Sequence, residues 1–248
     1  MTVTDLPILS SADALRAQFP ALRRLLGEPA FERLAALALA HSAAQGVPVE
    51  SATGVAPRAF VHGLLVHGDV APPDGTPPRL LADVAALEAA IADVTALAPA
   101  AQHEPRLTEA ALLALPPEAR ELAALRPTRA LRLVSVAFRL AGWLRDVHSG
   151  REPLPPRRGE QHVAIYALPA LTGTHGLPVT WWHGLQPAEG RLLSRLALGT
   201  RLGVLHEEAV AGGWNADADE LANWLAGWVR EGLFTEIVEP GPVMRSGR

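Results

Sequence analysis

The chain lacks several residue types, and each absence limits its chemistry. Its 248 residues contain no cysteine, so the sequence holds no disulfide, thiolate metal ligand or cysteine nucleophile. They contain no lysine either, and all 22 basic residues are arginine. Aromatic residues make up only 5% of the chain, with a single tyrosine, but 49% of the residues are hydrophobic. That hydrophobic content is enough to bury a core.

The chain also lacks a large excess of charge of one sign and a long apolar run. The formal net charge is −4 and the sequence pI is about 6.1, so no basic surface for a polyanion is indicated. No unbroken apolar run reaches membrane-spanning length. The first 19 residues, MTVTDLPILSSADALRAQF, lack the basic and apolar regions of a secretory signal. We therefore expect a cytoplasmic protein with neither a nucleic-acid nor a membrane partner.

The clearest helical pattern lies between Arg79 and Leu97. Its apolar residues recur at a spacing of three or four, and prolines mark both ends. Glu88 lies on this apolar face, where a carboxylate needs an arginine or hydrogen-bond donors, or becomes protonated. The pattern favours a structural pair with an arginine on a neighbouring helix. The alternative is a functional acid, but no second catalytic group can be placed beside it.

A change in composition divides the chain. Residues 149–160, SGREPLPPRRGE, are rich in proline, glycine and arginine and follow no periodic pattern. We therefore predict an α+β protein, mostly α, with a helical bundle at 1–150 and a small α+β domain at 160–240. Residues 241–248 are predicted to be a disordered tail.

The predicted C-terminal domain contains a hairpin followed by helices. His162–Leu168 and Leu177–Trp182 have strand character, Pro187 starts a helix, and Phe234–Val238 is a candidate final strand. This order is winged-helix-like, and one interpretation is DNA binding. Acidic residues on the last two helices would repel phosphate, which disfavours that interpretation.

Peptide recognition is the other use of such a module. An edge strand accepts an extended peptide as one more strand, and an apolar groove against a helix holds its side chains. The alternative for each candidate aromatic side chain is a place in the core. The predicted peptide-binding residues are Val163, Ile165, Tyr166, Trp181 and Trp182.

Signals for catalysis or metal binding are weak. His62 and His67 are five residues apart, whereas ligands on one helix face prefer three or four. The same objection applies to His175 and His183. The sequence has no GxSxG elbow and no phosphate-binding glycine loop. We predict no catalytic residue, metal ligand or cofactor in this chain.

Three segments resemble a known family. They are FPALRRLLGEPAFERLA at Phe19–Ala35, LLADVAALEAAIADV around Glu88, and LAALRPTRALRLVSVAFRLAGWL, which ends just beyond Trp143. Together they resemble the HvfC/BufC-type proteins, which are often described as DNA-binding. Those proteins are similar to companions of multinuclear non-haem iron-dependent oxidases that modify ribosomal precursor peptides.

The resemblance implies a non-catalytic partner subunit. It implies a heterodimer in which the oxidase holds the iron, while this chain binds the precursor leader by strand addition. Docking on the oxidase is expected through the first motif, with Phe19, Arg23, Arg24 and Glu28 as candidates. A winged-helix transcriptional regulator is the alternative, and a stand-alone metalloenzyme is third.

Overall fold

A computed structural model describes residues 11–44, 75–168, 179–212 and 218–238. These residues form an α+β architecture in which helices predominate over two small sheets, so the predicted class is confirmed. No helix among them has the length and apolarity to span a bilayer. The apolar spacing of residues 55–68 predicts a short helix, but this segment and the predicted disordered tail at 241–248 lie outside the described residues.

Contacts divide the described residues into two compact units. The first lies within Met1–Ala96 and Val136–Glu160, and the second within Leu97–Ser135 and Gln161–Arg248. The break after Glu160 falls at the end of the predicted boundary. However, residues 97–135, which the sequence assigns to the N-terminal domain, cluster with the second unit. The domain limits 1–150 and 160–240 stay a prediction.

Helices account for most of the first unit. Pro20 occupies the first turn of α2, where its fixed φ suits a helix start, and Gly27 ends that helix with a positive φ of 73°. Phe19, Leu22 and Phe31 are fully buried in this unit. The helices are α1 (Ser11–Gln18), α2 (Pro20–Leu26), α3 (Glu28–Ala44), α4 (Pro78–Ala101, whose last turn passes into the second unit) and α7 (Ala141–His148).

Helix α4 contains the predicted central helix and extends beyond it. The prediction ended at Leu97 because Pro99 follows, but the helix continues through Pro99 to Ala101. A proline in the last turn removes few backbone hydrogen bonds, so the helix can end beyond it. Val84 and Leu87 on its apolar face are fully buried.

The described residues of the second unit include five helices and a pair of short strands. Thr108, a residue type that favours the helix N-cap, caps α5 by accepting a hydrogen bond of 3.2 Å from the Ala111 N–H. Strands β1 (Ala124–Pro127) and β5 (Phe234–Val238) pair antiparallel. The final strand is therefore confirmed. The helices are α5 (Glu109–Leu113), α6 (Pro117–Leu122), α8 (Pro187–Ala197), α9 (Leu202–Ala211) and α10 (Ala218–Arg230).

The other sheet has the strand order β2-β3-β4. Its strands are β2 (Arg132–Arg139), β3 (Arg157–Leu168) and β4 (Val179–Leu185). The predicted hairpin is confirmed as the antiparallel β3–β4 pair. Strand β3 begins at Arg157, so four residues of the supposedly patternless segment 149–160 are strand.

Strand β3 is the central strand of this sheet, and this corrects one expectation. The sequence analysis placed an edge for strand addition at Val163 and Ile165, but both residues are fully buried between neighbouring strands. The error arose because the pairing of β2 with β3 joins segments that are far apart in the sequence. The outer strands of the described sheet are β2 and β4.

Candidate functional site

Strand β4 presents an exposed apolar pair at its start. Val179 is paired with Leu168 and Trp181 with Tyr166, so both side chains lie on the same face of the sheet. Their exposed fractions are 54% and 44%. A tryptophan exposed to this degree on an outer strand is available to contact another chain.

Tyr166 is a core residue and not the wall of an open groove. It is 2% exposed, and its hydroxyl donates a hydrogen bond of 2.8 Å to Glu231 Oε2. Burial, reinforced by the Glu231 carboxylate, raises the pKa of Tyr166 well above its usual 10.0. The ring stands edge-on to His183, with centroids 5.9 Å apart. Tyr166 therefore matches the alternative given for the aromatic residues, a place in the core.

The structure thus separates the five predicted peptide-binding residues. Val163 and Ile165 lie on the central strand and are fully buried, like Tyr166. Trp182 pairs with Ile165 and is half-buried, whereas Trp181 on the opposite face is exposed. On each face the tryptophan of the outer strand β4 is more exposed than the residue paired with it on the central strand β3.

The predicted docking residues also divide into buried and exposed side chains. Phe19 is fully buried, so it cannot contact a partner unless the unit opens. Arg23 Nε lies 3.6 Å from Glu28 Oε2, and Arg24 pairs with Glu152. These charged side chains are between 42% and 83% exposed. They form a surface of paired charges on α2 and the start of α3.

Glu88 has a structural role different from the predicted arginine pair. Its Oε1 accepts a hydrogen bond of 2.7 Å from the Ala21 N–H, and its Oε2 accepts one of 2.9 Å from the Leu22 N–H. These N–H groups belong to the first turn of α2, where they lack partners within the helix. Glu88 therefore caps α2 from α4, a role that the side chain of Phe19 cannot fill.

The surroundings of Glu88 oppose its ionisation. The side chain is fully buried, and burial raises the pKa of Glu88 above 4.5, while hydrogen bonds from His148, Ala21 and Leu22 act in the opposite direction. His148 Nε2 lies 3.4 Å from Glu88 Oε1. The two backbone hydrogen bonds give this buried carboxyl group a structural role at the start of α2.

Three of the four candidate metal-binding histidines lie outside the described residues. These are His62, His67 and His175, whereas the ring of His183 stands edge-on to Tyr166. Within the described ranges, no three histidine, aspartate or glutamate side chains are grouped so that they could hold a metal ion.

Two features of the second unit were not predicted. An apolar pocket lies between α8, α9 and α10, with Leu205, Leu225 and Trp228 among its walls. A polar depression contains a hydrogen bond of 2.7 Å between Ser135 Oγ and His162 Nδ1. Leucine periodicity gave a signal for the helices but not for a gap between them. Ser135 and His162 are 27 residues apart and belong to no recognisable motif, so no local pattern predicted their contact.

No protein-family model matches this chain, and no curated protein matches it either.

Proposed function

We propose that this chain is a non-catalytic partner subunit of a peptide-modifying oxidase complex. It binds the leader of a ribosomally made precursor peptide and docks it on a multinuclear non-haem iron-dependent oxidase in the cytoplasm. The oxidase holds the iron and performs the chemistry. The proposal rests on the resemblance of the Phe19–Ala35 segment to the HvfC/BufC-type proteins, together with the outer strand β4.

Strand β4 is the observation that carries the peptide-binding part. It is an outer strand of the described sheet, and it exposes Val179 and Trp181 on one face. An added peptide strand gains main-chain hydrogen bonds, while its alternate side chains contact such apolar residues. Strand β4 replaces the central strand β3 as the proposed binding strand, and Trp181 is the proposed anchor.

The C-terminal unit is proposed to be a peptide-recognition module of winged-helix-like order. The β3–β4 hairpin precedes α8, α9 and α10, and the last strand pairs with β1 rather than with the hairpin. Asp219 and Glu220 in the first turn of α10, with Glu207 on α9, give these helices negative charge. A duplex would be repelled by that charge, so a peptide is the favoured ligand.

Docking on the oxidase is assigned to the surface of paired charges on α2 and α3. Arg23, Arg24 and Glu28 are accessible there, while buried Phe19 fixes the helix that carries two of them. Exchanging internal ion pairs for pairs with a partner costs little at a surface site. Such a surface supplies specificity and a rapid association rate more than affinity.

Co-expression with a candidate multinuclear iron oxidase tests the docking part. Size exclusion should give one complex, with iron in the oxidase and little in this chain purified alone. Arg24→Glu should weaken the complex about tenfold or more, because it places a negative charge opposite the negative groups of the oxidase with which Arg24 is proposed to pair. Arg201→Glu, an exposed change on the second unit, is the matched control. Separate elution of the two proteins, with duplex DNA bound at low salt, would favour the regulator instead.

Leader binding is tested separately by fluorescence polarisation of a labelled leader peptide. Trp181→Ala should weaken binding about tenfold, as expected for an aromatic anchor. Leu198→Ala removes a side chain that is 81% exposed in the same unit, and it should leave binding unchanged. Equal binding by both variants and the wild-type chain would remove Trp181 as the anchor.

A further inference from the structure

A polar depression in the second unit combines polar side chains from two strands and two helices. We call it the His162 depression, and its polar lining side chains are Ser135, His162, Arg191, Ser194, Arg195 and Glu208. It is distinct from the apolar pocket, since the two have no lining residue in common. Neither the proposed peptide strand nor the proposed docking surface includes any of these side chains.

The imidazole of His162 is held in a fixed position. Its Nδ1 shares the hydrogen bond of 2.7 Å with Ser135 Oγ. On its other side the ring lies against Gly190, where an added Cβ would stand 2.4 Å from His162 Cγ. Only a glycine on α8 leaves room for the ring at this distance. The Ser135 hydroxyl is thereby placed in advance of any ligand, which reduces the cost of binding.

The side chains around the depression carry one more positive charge than negative charge. Arg195 Nε donates a hydrogen bond of 2.9 Å to Glu208 Oε2, so these two side chains neutralise each other. That pairing lowers the pKa of the Glu208 carboxyl, which keeps it ionised at neutral pH. Arg191 is exposed, and it has neither an ion pair nor a side-chain hydrogen bond within the described part of the chain. Two guanidinium groups and one carboxylate leave a single positive charge.

We propose that the His162 depression binds a carboxylate, with Arg191 as the cation and the Ser135 hydroxyl as a second donor. The planar guanidinium matches a carboxylate with two parallel hydrogen bonds. When His162 carries its proton on Nδ1, that N–H donates to Ser135 Oγ, and the hydroxyl hydrogen is free for the ligand. A monoanion balances the single surplus charge. A phosphate dianion would exceed it and would lie close to Glu208.

NMR of the full chain, labelled at histidine and arginine, tests this inference with sodium acetate as the probe. Acetate should produce saturable shifts of the His162 and Arg191 side-chain signals, while sodium chloride at equal ionic strength should not. Sodium phosphate should bind more weakly than acetate. The His162 nitrogen shifts should show a proton on Nδ1 in the acetate-bound protein. An unsaturable shift, or tighter binding of phosphate, would overturn the assignment.

Variants identify the donors. Arg191→Gln should weaken acetate binding about tenfold, because it removes the charged fork. Ser135→Ala should weaken it about threefold, and Glu208→Gln should strengthen it by freeing Arg195. Arg201→Gln removes an equally exposed arginine outside the depression and should change nothing. Equal acetate binding by the Arg191→Gln variant and the wild-type chain would contradict the proposal.

A pair of capped tripeptides distinguishes the source of the carboxylate. Acetyl-Ala-Glu-Ala-amide should bind at the depression and acetyl-Ala-Gln-Ala-amide should not, if the natural ligand is an acidic side chain of a protein. Binding of acetate without binding of the glutamate tripeptide assigns the site to a small free carboxylate. Absence of both would overturn the proposal and leave the β4 proposal intact.

Discussion

Replacing Glu88 by alanine should strongly destabilise the first unit. The change leaves the Ala21 and Leu22 N–H groups without their acceptor, and both residues are fully buried. Each unsatisfied buried donor costs about 1–3 kcal/mol, so the two cost about 2–6 kcal/mol. The removal of a buried carboxylate offsets part of this cost. We expect the free energy of unfolding to fall by about 2–4 kcal/mol.

Chemical denaturation followed by circular dichroism measures that loss. Glu32→Ala is the control, because Glu32 also accepts a hydrogen bond in this unit but is 38% exposed. Its effect should stay within about 0.5 kcal/mol. A loss below about 0.5 kcal/mol for Glu88→Ala would refute the assignment of Glu88 as the cap of α2.

The direction of the Glu88 pKa shift determines how the stability difference between wild type and Glu88→Ala changes with pH. Because burial raises the pKa of Glu88 above 4.5 in the folded chain, its contribution to stability is full below pH 4.5. That contribution decreases as the pH rises through the folded pKa. The gap between wild type and Glu88→Ala should therefore be larger at pH 4.5 than at pH 8. Repeating the comparison with His148→Gln in both proteins separates Glu88 from its neighbour.

Three further predictions test individual contacts in the two units. Gly190→Ala should destabilise the second unit by about 1–3 kcal/mol in urea denaturation, because the added Cβ collides with His162. The control is Gly227→Ala in α10, where the added Cβ meets no neighbour; this change should stabilise the unit by about 0.5–1 kcal/mol. Tyr166 is the only tyrosine, so tyrosinate absorbance should not appear near pH 10 while the fold persists, and stability should fall as the pH rises above 10. Asp83→Ala removes the acceptor of the 2.6 Å bond from the Ala137 N–H and should lower the thermal midpoint, at a cost of about 1–3 kcal/mol.

Local signals predicted most of the elements. Prolines at positions 20 and 187 start helices, Thr108 caps one, and Phe234–Val238 forms the last strand. In the apolar segment from Arg129 to His148, the first half is compatible with a strand and the second half favours a helix, and the segment contains a strand followed by a helix. Each of these features depends on residues close together in the sequence, and for that reason single-sequence patterns could predict them.

Contacts between distant residues could not be predicted. Glu88 finds its donors 66 and 67 residues earlier, at the start of a helix, so the sequence showed that it needs partners but not which ones. Strand β3 looked like an edge because its pairing with β2 carries no local signal. Ser135 and His162 meet only through that same pairing of strands. Site geometry depends on tertiary contacts, which propensity and periodicity do not specify.

The modification assay tests the proposed function most directly. A candidate iron oxidase, its precursor peptide and oxygen are combined with the wild-type chain, with the Trp181→Ala variant or with neither, and mass spectrometry follows the peptide. We predict modification only when this chain is present, at a rate reduced about tenfold by Trp181→Ala while the oxidase still co-elutes with the variant. Equal modification with and without the chain would contradict its assignment as the subunit that delivers the peptide.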